Sequence, residues 1–306
     1  MTDPAIPGVS NGPRPPRAWV SIGSADLTAE IDPLGAQLSA LRDRNGRDLL
    51  WDGEPSIWAG RAPLLFPIVG ALAGGSYRLG AHRHALSRHG FARGSAFRLV
   101  DSTAGSALLR LTADEATRQA YPFPFQLDVG FVIDGATLTI MTTLGNPGDG
   151  ALPASFGYHP AFRWPLPFGQ ARSAHDILFP LDEPAPIRRL DTQGLLIAER
   201  FATPVTGRRL ALCDALFEPD VVIFDELRSR SITYGAAAGP RIRVGFPNAP
   251  YLGVWTKPDA PFICIEPWFG IADPEGYTGD FGAKPGVFSI APGGARMMPM
   301  TITLLT

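Results

Sequence analysis

Two short segments place an acid/base side chain directly before a proline. In Phe262-Ile263-Cys264-Ile265-Glu266-Pro267-Trp268-Phe269-Gly270 a carboxylate closes an apolar, β-branched run, and an aromatic pair follows. In Gly157-Tyr158-His159-Pro160-Ala161-Phe162 a histidine holds the same place after Ala154-Ser155-Phe156. A proline ring disfavours the helical region for the residue before it. Glu266 and His159 are therefore both expected to be extended, each at a strand end. An imidazole gives or takes protons near neutrality, with an unperturbed pKa of about 6.5, and a glutamate tuned by its surroundings can serve as the second proton carrier. Together they form a candidate acid/base pair, and a carboxylate beside an exposed aromatic face suits an enzyme that handles sugars. Taken singly, each has a plainer reading. Glu266 could be a rim carboxylate next to a core tryptophan, and His159 a satisfied structural histidine. Trp164 and Trp268 lie beside the two segments and could stack on a pyranose face.

Other chemistry is thinner. His82-Arg83-His84, with His89 and a carboxylate, could make a metal site of the cupin type, but no glutamate follows within four residues. No metal and no cofactor are expected. Leu86-Ser87-Arg88-His89-Gly90-Phe91-Ala92-Arg93 sets a histidine and two arginines around a glycine, and arginine's fixed donors suit sugar hydroxyls or a phosphate. Arg88 reads as a solvated surface arginine. The two cysteines, Cys213 and Cys264, are 51 residues apart without metal-ligand spacing. Free thiols are expected, with Cys264 packed in its apolar run. The chain has no G-x-S-x-G, no P-loop and no G-x-G-x-x-G after a strand, so a serine nucleophile and nucleotide binding lose support.

The elements that position these residues read as strands. The 306 residues include 34 Gly and 31 Pro, which fits many short strands with turns better than helices. At 45% hydrophobic residues the chain can build a large core, and with a net charge of -2 and no basic patch it offers nothing to nucleic acid or an anionic membrane. No run approaches the ~20 apolar residues that span a bilayer. Residues 1–17, rich in Pro and Gly, predict a disordered leader rather than a secretory signal, and a cytoplasmic protein follows. Leu127, Val129, Phe131 and Ile133 alternate ahead of Asp134-Gly135, and Leu138 and Ile140 continue the pattern, which predicts a hairpin. Asn45-Gly46 predicts another turn. Further strands are expected near residues 20–22, 27–31, 221–224, 231–234, 242–246, 252–256, 262–266, 287–290 and 301–305, with a short helix at 113–120. The proline-rich stretch 165–205 reads as a surface excursion of the kind that lines a cleft. Nothing divides residues 18–306 into two domains.

Four motifs now stand in order: Arg61-x-Pro63-x-x-Phe66-Pro67-x-Val69-Gly70, His89-Gly90-Phe91-Ala92-Arg93, Gly157-x-His159-Pro160-x-Phe162 and Ile265-Glu266-Pro267-Trp268-x-Gly270-x-x-Asp273. In this order and spacing they resemble the aldose 1-epimerase (galactose mutarotase) superfamily, in particular its bacterial branch found with lactose and tagatose pathway genes. The resemblance runs through nearly the whole chain. It implies an all-β fold, a large antiparallel β-supersandwich, acting on an aldose as monomer or homodimer. It implies His159 as general acid on the ring oxygen and Glu266 as general base on the anomeric hydroxyl. His89 would contact the sugar, and Arg93 corresponds to an arginine near substrate in the sugar-phosphate branch. Asp220 is the match for an aspartate that holds sugar hydroxyls, with Asp214 and Asp225 as rivals, and Trp268 would line the site. Relatives often carry an arginine after Val69-Gly70, whereas here Ala71 follows, so Arg61 is expected to take up some of that binding. Two other functions stay open: a hexose-6-phosphate 1-epimerase, and a non-catalytic sugar-binding protein on the same scaffold. A glycoside hydrolase would need a second flanking carboxylate, for which there is no comparable motif.

Overall fold

Strict apolar alternation builds the largest layer. Gln126–Asp134 and Thr137–Gly145 pair across a Gly135-Ala136 turn, one residue later than the expected Asp134-Gly135, with Leu138 opposite Ile133 and Ile140 opposite Phe131. Inside-outside alternation runs the length of the second strand, where Leu138, Ile140, Thr142 and Leu144 are buried. This hairpin lies beside the central strand, Ala295–Leu305, of a nine-stranded antiparallel sheet whose outer strands are Arg209–Ala211 and Arg98–Ser102. The computed structural model describes residues 19–306, so the expected leader lies outside the described residues. The protein is mostly β-strand, with one α-helix, Glu115–Ala120, and a few 3-10 turns among the described residues.

A second layer of six strands carries the two proline-marked segments. Its order is Val222–Phe224, Tyr251–Trp255, Phe262–Phe269, Phe156–Tyr158 and Leu64–Leu65, with Ala161–Arg163 also paired to Phe262–Phe269. The main hydrophobic core lies between the layers. It takes Val129, Phe131, Ile140, Met298 and Met300 from the large sheet and Leu64, Phe156, Tyr158, Ile263 and Ile265 from the small one. Burying each such side chain contributes roughly 1.5–3 kcal/mol. Alternation then sends Cys264, Glu266 and Trp268 to the opposite face, where two smaller apolar clusters collect Trp268 and Cys264.

Tyr158 ties the layers together one residue before His159. Its hydroxyl lies 2.5 Å from the Met298 carbonyl, 2.8 Å from Thr142 Oγ1 and 3.3 Å from the Ile140 carbonyl, all on the large sheet. Tyr158→Phe leaves those buried acceptors short of a donor. It is expected to lower unfolding free energy by about 1–3 kcal/mol, read as a lower denaturant midpoint at unchanged slope. A midpoint within error of the parent would mean the hydroxyl holds nothing.

Two expectations change. The stretch 165–205 is not all surface: His175–Leu178 pairs in register with Ser231–Ala236 inside the nine-stranded sheet. Glu266 is not at a strand end either. The strand runs on through Pro267 to Phe269. This is possible because the neighbouring strand is broken at His159-Pro160. Ile265 N–H donates to the Pro160 carbonyl at 3.1 Å. Successive backbone donors point to opposite sides, so the missing Pro267 donor falls on that same side, at the gap, and no ladder bond is lost. The two X-Pro units therefore face each other across the break. Cys213 and Cys264 are both free thiols. No helix among the described residues is long and apolar enough to cross a membrane.

Candidate active site

The break in the ladder turns His159 toward Glu266. His159 Nε2 and Glu266 Oε2 stand 3.2 Å apart. His159 is 8% exposed and Glu266 1%, so substrate could reach the pair only from the histidine side. Trp58 stacks on the His159 ring at 5.2 Å, Trp255 meets the same ring edge-on at 6.0 Å, and His89 meets it edge-on at 5.8 Å. Behind the pair, the Trp268 indole lies across two glycines on flanking strands. A Cβ at Gly157 would come within 2.7 Å of that ring and one at Gly253 within 2.6 Å. Trp268 is thus a buried wall rather than an exposed platform. Trp164 is buried too, with its indole N–H donating to the Arg172 carbonyl and the Arg172 guanidinium 3.5 Å from its ring centroid. The half-buried rings beside the pair are Trp58 and Trp255.

Burial governs the proton. It pushes the Glu266 carboxyl well above the ordinary carboxylate range. The Trp268 indole N–H and the charge of Arg88 oppose that shift, and the Asp220 charge adds to it. Burial pushes His159 the other way, down to about 3, with the charges of Arg93 and Arg88 acting in the same direction. The pair therefore holds one proton, and in the resting state that proton sits on Glu266. The charged arrangement, an ionised glutamate beside an imidazolium, is disfavoured at rest because neither charge is solvated here. His159 Nδ1 is buried without a hydrogen-bond partner in the chain. Buried polar atoms are normally paired, so this atom marks where a polar ligand would be recognised.

His89 is held by its own loop. Its Nδ1 accepts the Gly70 N–H at 3.1 Å, and its pKa is held well below normal, first by burial. The neutral ring must then carry its hydrogen on Nε2, a donor. The turn that follows Gly70 is itself fixed by Asp273, the last residue of the fourth motif. The Asp273 carboxylate accepts Ala73 N–H at 2.8 Å, and its own N–H donates to the Ala71 carbonyl at 3.0 Å.

The other expected residues divide. Asp220 is half-buried, in the left-handed region at φ 68°, and its charge reaches Glu266. Asp214 is bound by Arg172 at 2.6 Å and Asp225 by Arg188 and Arg200 at 3.4 and 3.3 Å, both structural pairings. Arg93 donates to the Arg88 carbonyl at 3.2 Å, and its charge is felt at both His89 and His159. Arg61 is not brought into the cluster. Its guanidinium donates to the Ser39 carbonyl at 2.7 Å and lies over the Trp19 ring. The His82/His84 reading also fails to assemble: His82 is exposed and His84 stacks on Tyr77. Among the described residues the group with metal-ligand spacing is His159, Cys264 and Glu266, whose ligand atoms lie within 4.8 Å of one another. Sequence reasoning missed Trp58 and Trp255; Arg88 is exposed, as expected, although its charge reaches both members of the pair, and Cys264 is packed in an apolar cluster, as expected. A separate cavity of about 300 Å³, with Asp273 and Lys284 among its walls and Arg78 and Arg83 beside them, is lined by none of the expected site residues.

Comparison with known proteins agrees with this architecture. The sequence model described as aldose 1-epimerase matches residues 19–273. Protein LacX of Lactococcus lactis subsp. lactis is 29% identical over 289 residues, covering 91% of this chain and 97% of that one. A galactose mutarotase related enzyme from Lactobacillus acidophilus superposes with a TM-score of 0.88 at 27% identity, covering 94% of this chain and 97% of that one. A galactose mutarotase-like protein from Lactobacillus casei gives 0.85 at 25% identity, with 94% and 100% covered.

Proposed function

The chain belongs to the aldose 1-epimerase family, and on that premise we propose that it interconverts the α and β anomers of an aldose by opening and reclosing the ring. The observation that carries this reading is the buried His159–Glu266 contact of 3.2 Å, a pair with one proton to move. Transfer of that proton from Glu266 to His159 arms the pair. Ionised Glu266, favoured by the Arg88 charge, takes the proton of the C1 hydroxyl. His159 gives its proton to the ring oxygen. The C1–O5 bond breaks and an aldehyde forms. At that point Glu266 is protonated and His159 neutral, which is the distribution burial favours. Rotation about C1–C2 and closure with the roles reversed yield the other anomer. Neutral His89 donates from Nε2 to the sugar, and Asp220 accepts from its hydroxyls. Each positioned proton transfer typically contributes ~10²–10⁴ in rate.

A sugar-phosphate substrate is the second reading. It is favoured by Arg88 and Arg93, whose charges both reach His159. Polarimetry or saturation-transfer NMR over galactose, glucose, arabinose, xylose and their phosphates decides between them. A rate above the spontaneous one is expected for at least one sugar. Binding without acceleration across the panel would leave only a sugar-binding protein.

The pH profile follows from the proton count. The pair carries one proton between the pH where His159 takes a second, about 3, and the raised pKa of Glu266. A free imidazole would put an inflection near 6.5, at about its unperturbed pKa. Here kcat/KM, corrected for the uncatalysed reaction, is expected to show no His159 inflection at that value and to fall as pH rises through the raised pKa of Glu266. An inflection at the ordinary histidine value would contradict the assignment.

A further inference from the structure

We propose that His159, Cys264 and Glu266 also form a binding site for a soft divalent cation of the zinc type, and that its occupancy turns the acid/base pair off. Two ligand atoms bound at ~2.0–2.1 Å to a tetrahedral zinc stand roughly 3.3 Å apart. His159 Nε2 and Glu266 Oε2 are already 3.2 Å apart, and Cys264 Sγ lies within 4.8 Å of both. Cys264 and Glu266 are two residues apart on one strand and so share a face. That strand is fixed by pairing on both sides, with Cys264 opposite Trp255 and Ala161. Glu266 is 1% exposed, so its carboxyl is already stripped of water.

Charge favours the same occupant. A dication with one thiolate, one carboxylate and a neutral imidazole sums to zero, which suits a site where no isolated charge is solvated. The thiol and carboxyl protons leave to solvent as the bonds to the cation form, with no change of oxidation state. The thiolate selects zinc or cadmium, whereas magnesium and calcium prefer oxygen ligands. Three protein ligands leave a fourth position open toward the histidine side. His159 Nδ1 has no partner in the chain to orient it, and such outer contacts strengthen metal binding. The site is therefore reversible by a chelator, a brake rather than a structural centre.

Metal binding stands apart from the proposed activity, and only the inhibition rests on it. Titration of the full chain with cobalt chloride is expected to give one equivalent and a thiolate-to-cobalt charge-transfer band in the near ultraviolet. Zinc chloride is expected to inhibit anomer interconversion reversibly by EDTA, and millimolar magnesium chloride to do nothing. Cys264→Ser should keep the uninhibited rate, lose the band and weaken zinc inhibition at least ~10²-fold, since even losing an outer-shell contact costs 10–100-fold. If that variant does not fold, Cys264→Ala replaces the thiol with a small apolar group and is read the same way. No cobalt band, equal zinc inhibition of variant and parent, or inhibition by magnesium would overturn the proposal. A chain that binds cobalt with the band but accelerates no sugar would keep the cation site and remove the proposed activity.

Discussion

Replacing His159 by Asn or Glu266 by Gln lowers catalysed anomer interconversion by at least ~10²-fold in kcat/KM. Each substitution removes one proton carrier while keeping the shape of the side chain. Glu266→Gln is the sharper of the two. Burial at 1% exposure favours the uncharged carboxyl, and a carboxamide is likewise neutral. The melting temperature should therefore hold while the rate collapses, which separates chemistry from folding. The double variant should be little worse than either single one, because the two residues act as a unit. Polarimetry alongside thermal denaturation provides the check. A near-parental rate in either folded variant would remove the pair from the reaction.

Gly90→Ala is expected to have the largest effect on stability. Gly90 sits at φ +71°, and a Cβ there would stand 2.2 Å from the Phe66 carbonyl oxygen and 2.5 Å from its carbon. Those are backbone atoms, so no side chain can swing away. The contact is also a crossing point. Phe66 N–H donates to the His89 carbonyl at 3.2 Å, and Phe91 N–H donates back to the Phe66 carbonyl at 3.0 Å. Left-handed strain and overpacking together are expected to cost on the order of 3 kcal/mol. The shift would also move His89, Arg88 and Arg93. Denaturant titration should show the loss, with a higher KM in whatever fraction stays folded. A stability within ~0.5 kcal/mol of the parent, the range of ordinary surface changes, would show that the loop rearranges freely.

Much of this was legible because it is local. The hairpin and its buried face follow from alternation and a turn dipeptide, although Asp134 stays paired with Thr137 and the turn itself is Gly135-Ala136. The preference of His159 and Glu266 for extended backbone follows from the prolines. What the sequence hides is whatever depends on distant residues. Pro267 reads as a strand terminator, and only the gap opposite, at His159-Pro160, lets the strand continue. The strand His175–Leu178 escapes notice because its buried side chains include His175 and Asp176. Each is satisfied by remote partners: His175 Nε2 accepts Leu166 N–H, and Asp176 binds Arg209 and Arg241. Trp58 and Trp255 carry no local sign of the histidine they enclose. Cys264 did carry one, since two residues along a strand means one face, shared with Glu266.

Alternation along Phe262–Phe269 has a further consequence for how such a chain can change length. Deleting or inserting one residue ahead of Glu266 would exchange the destinations of neighbouring side chains. The carboxyl would enter the hydrocarbon between the layers, and Ile265 would take its place. A change of two residues preserves the sides. Length variation in this strand should therefore be tolerated, if at all, only in even steps, and a one-residue indel scan should find its sharpest intolerance here.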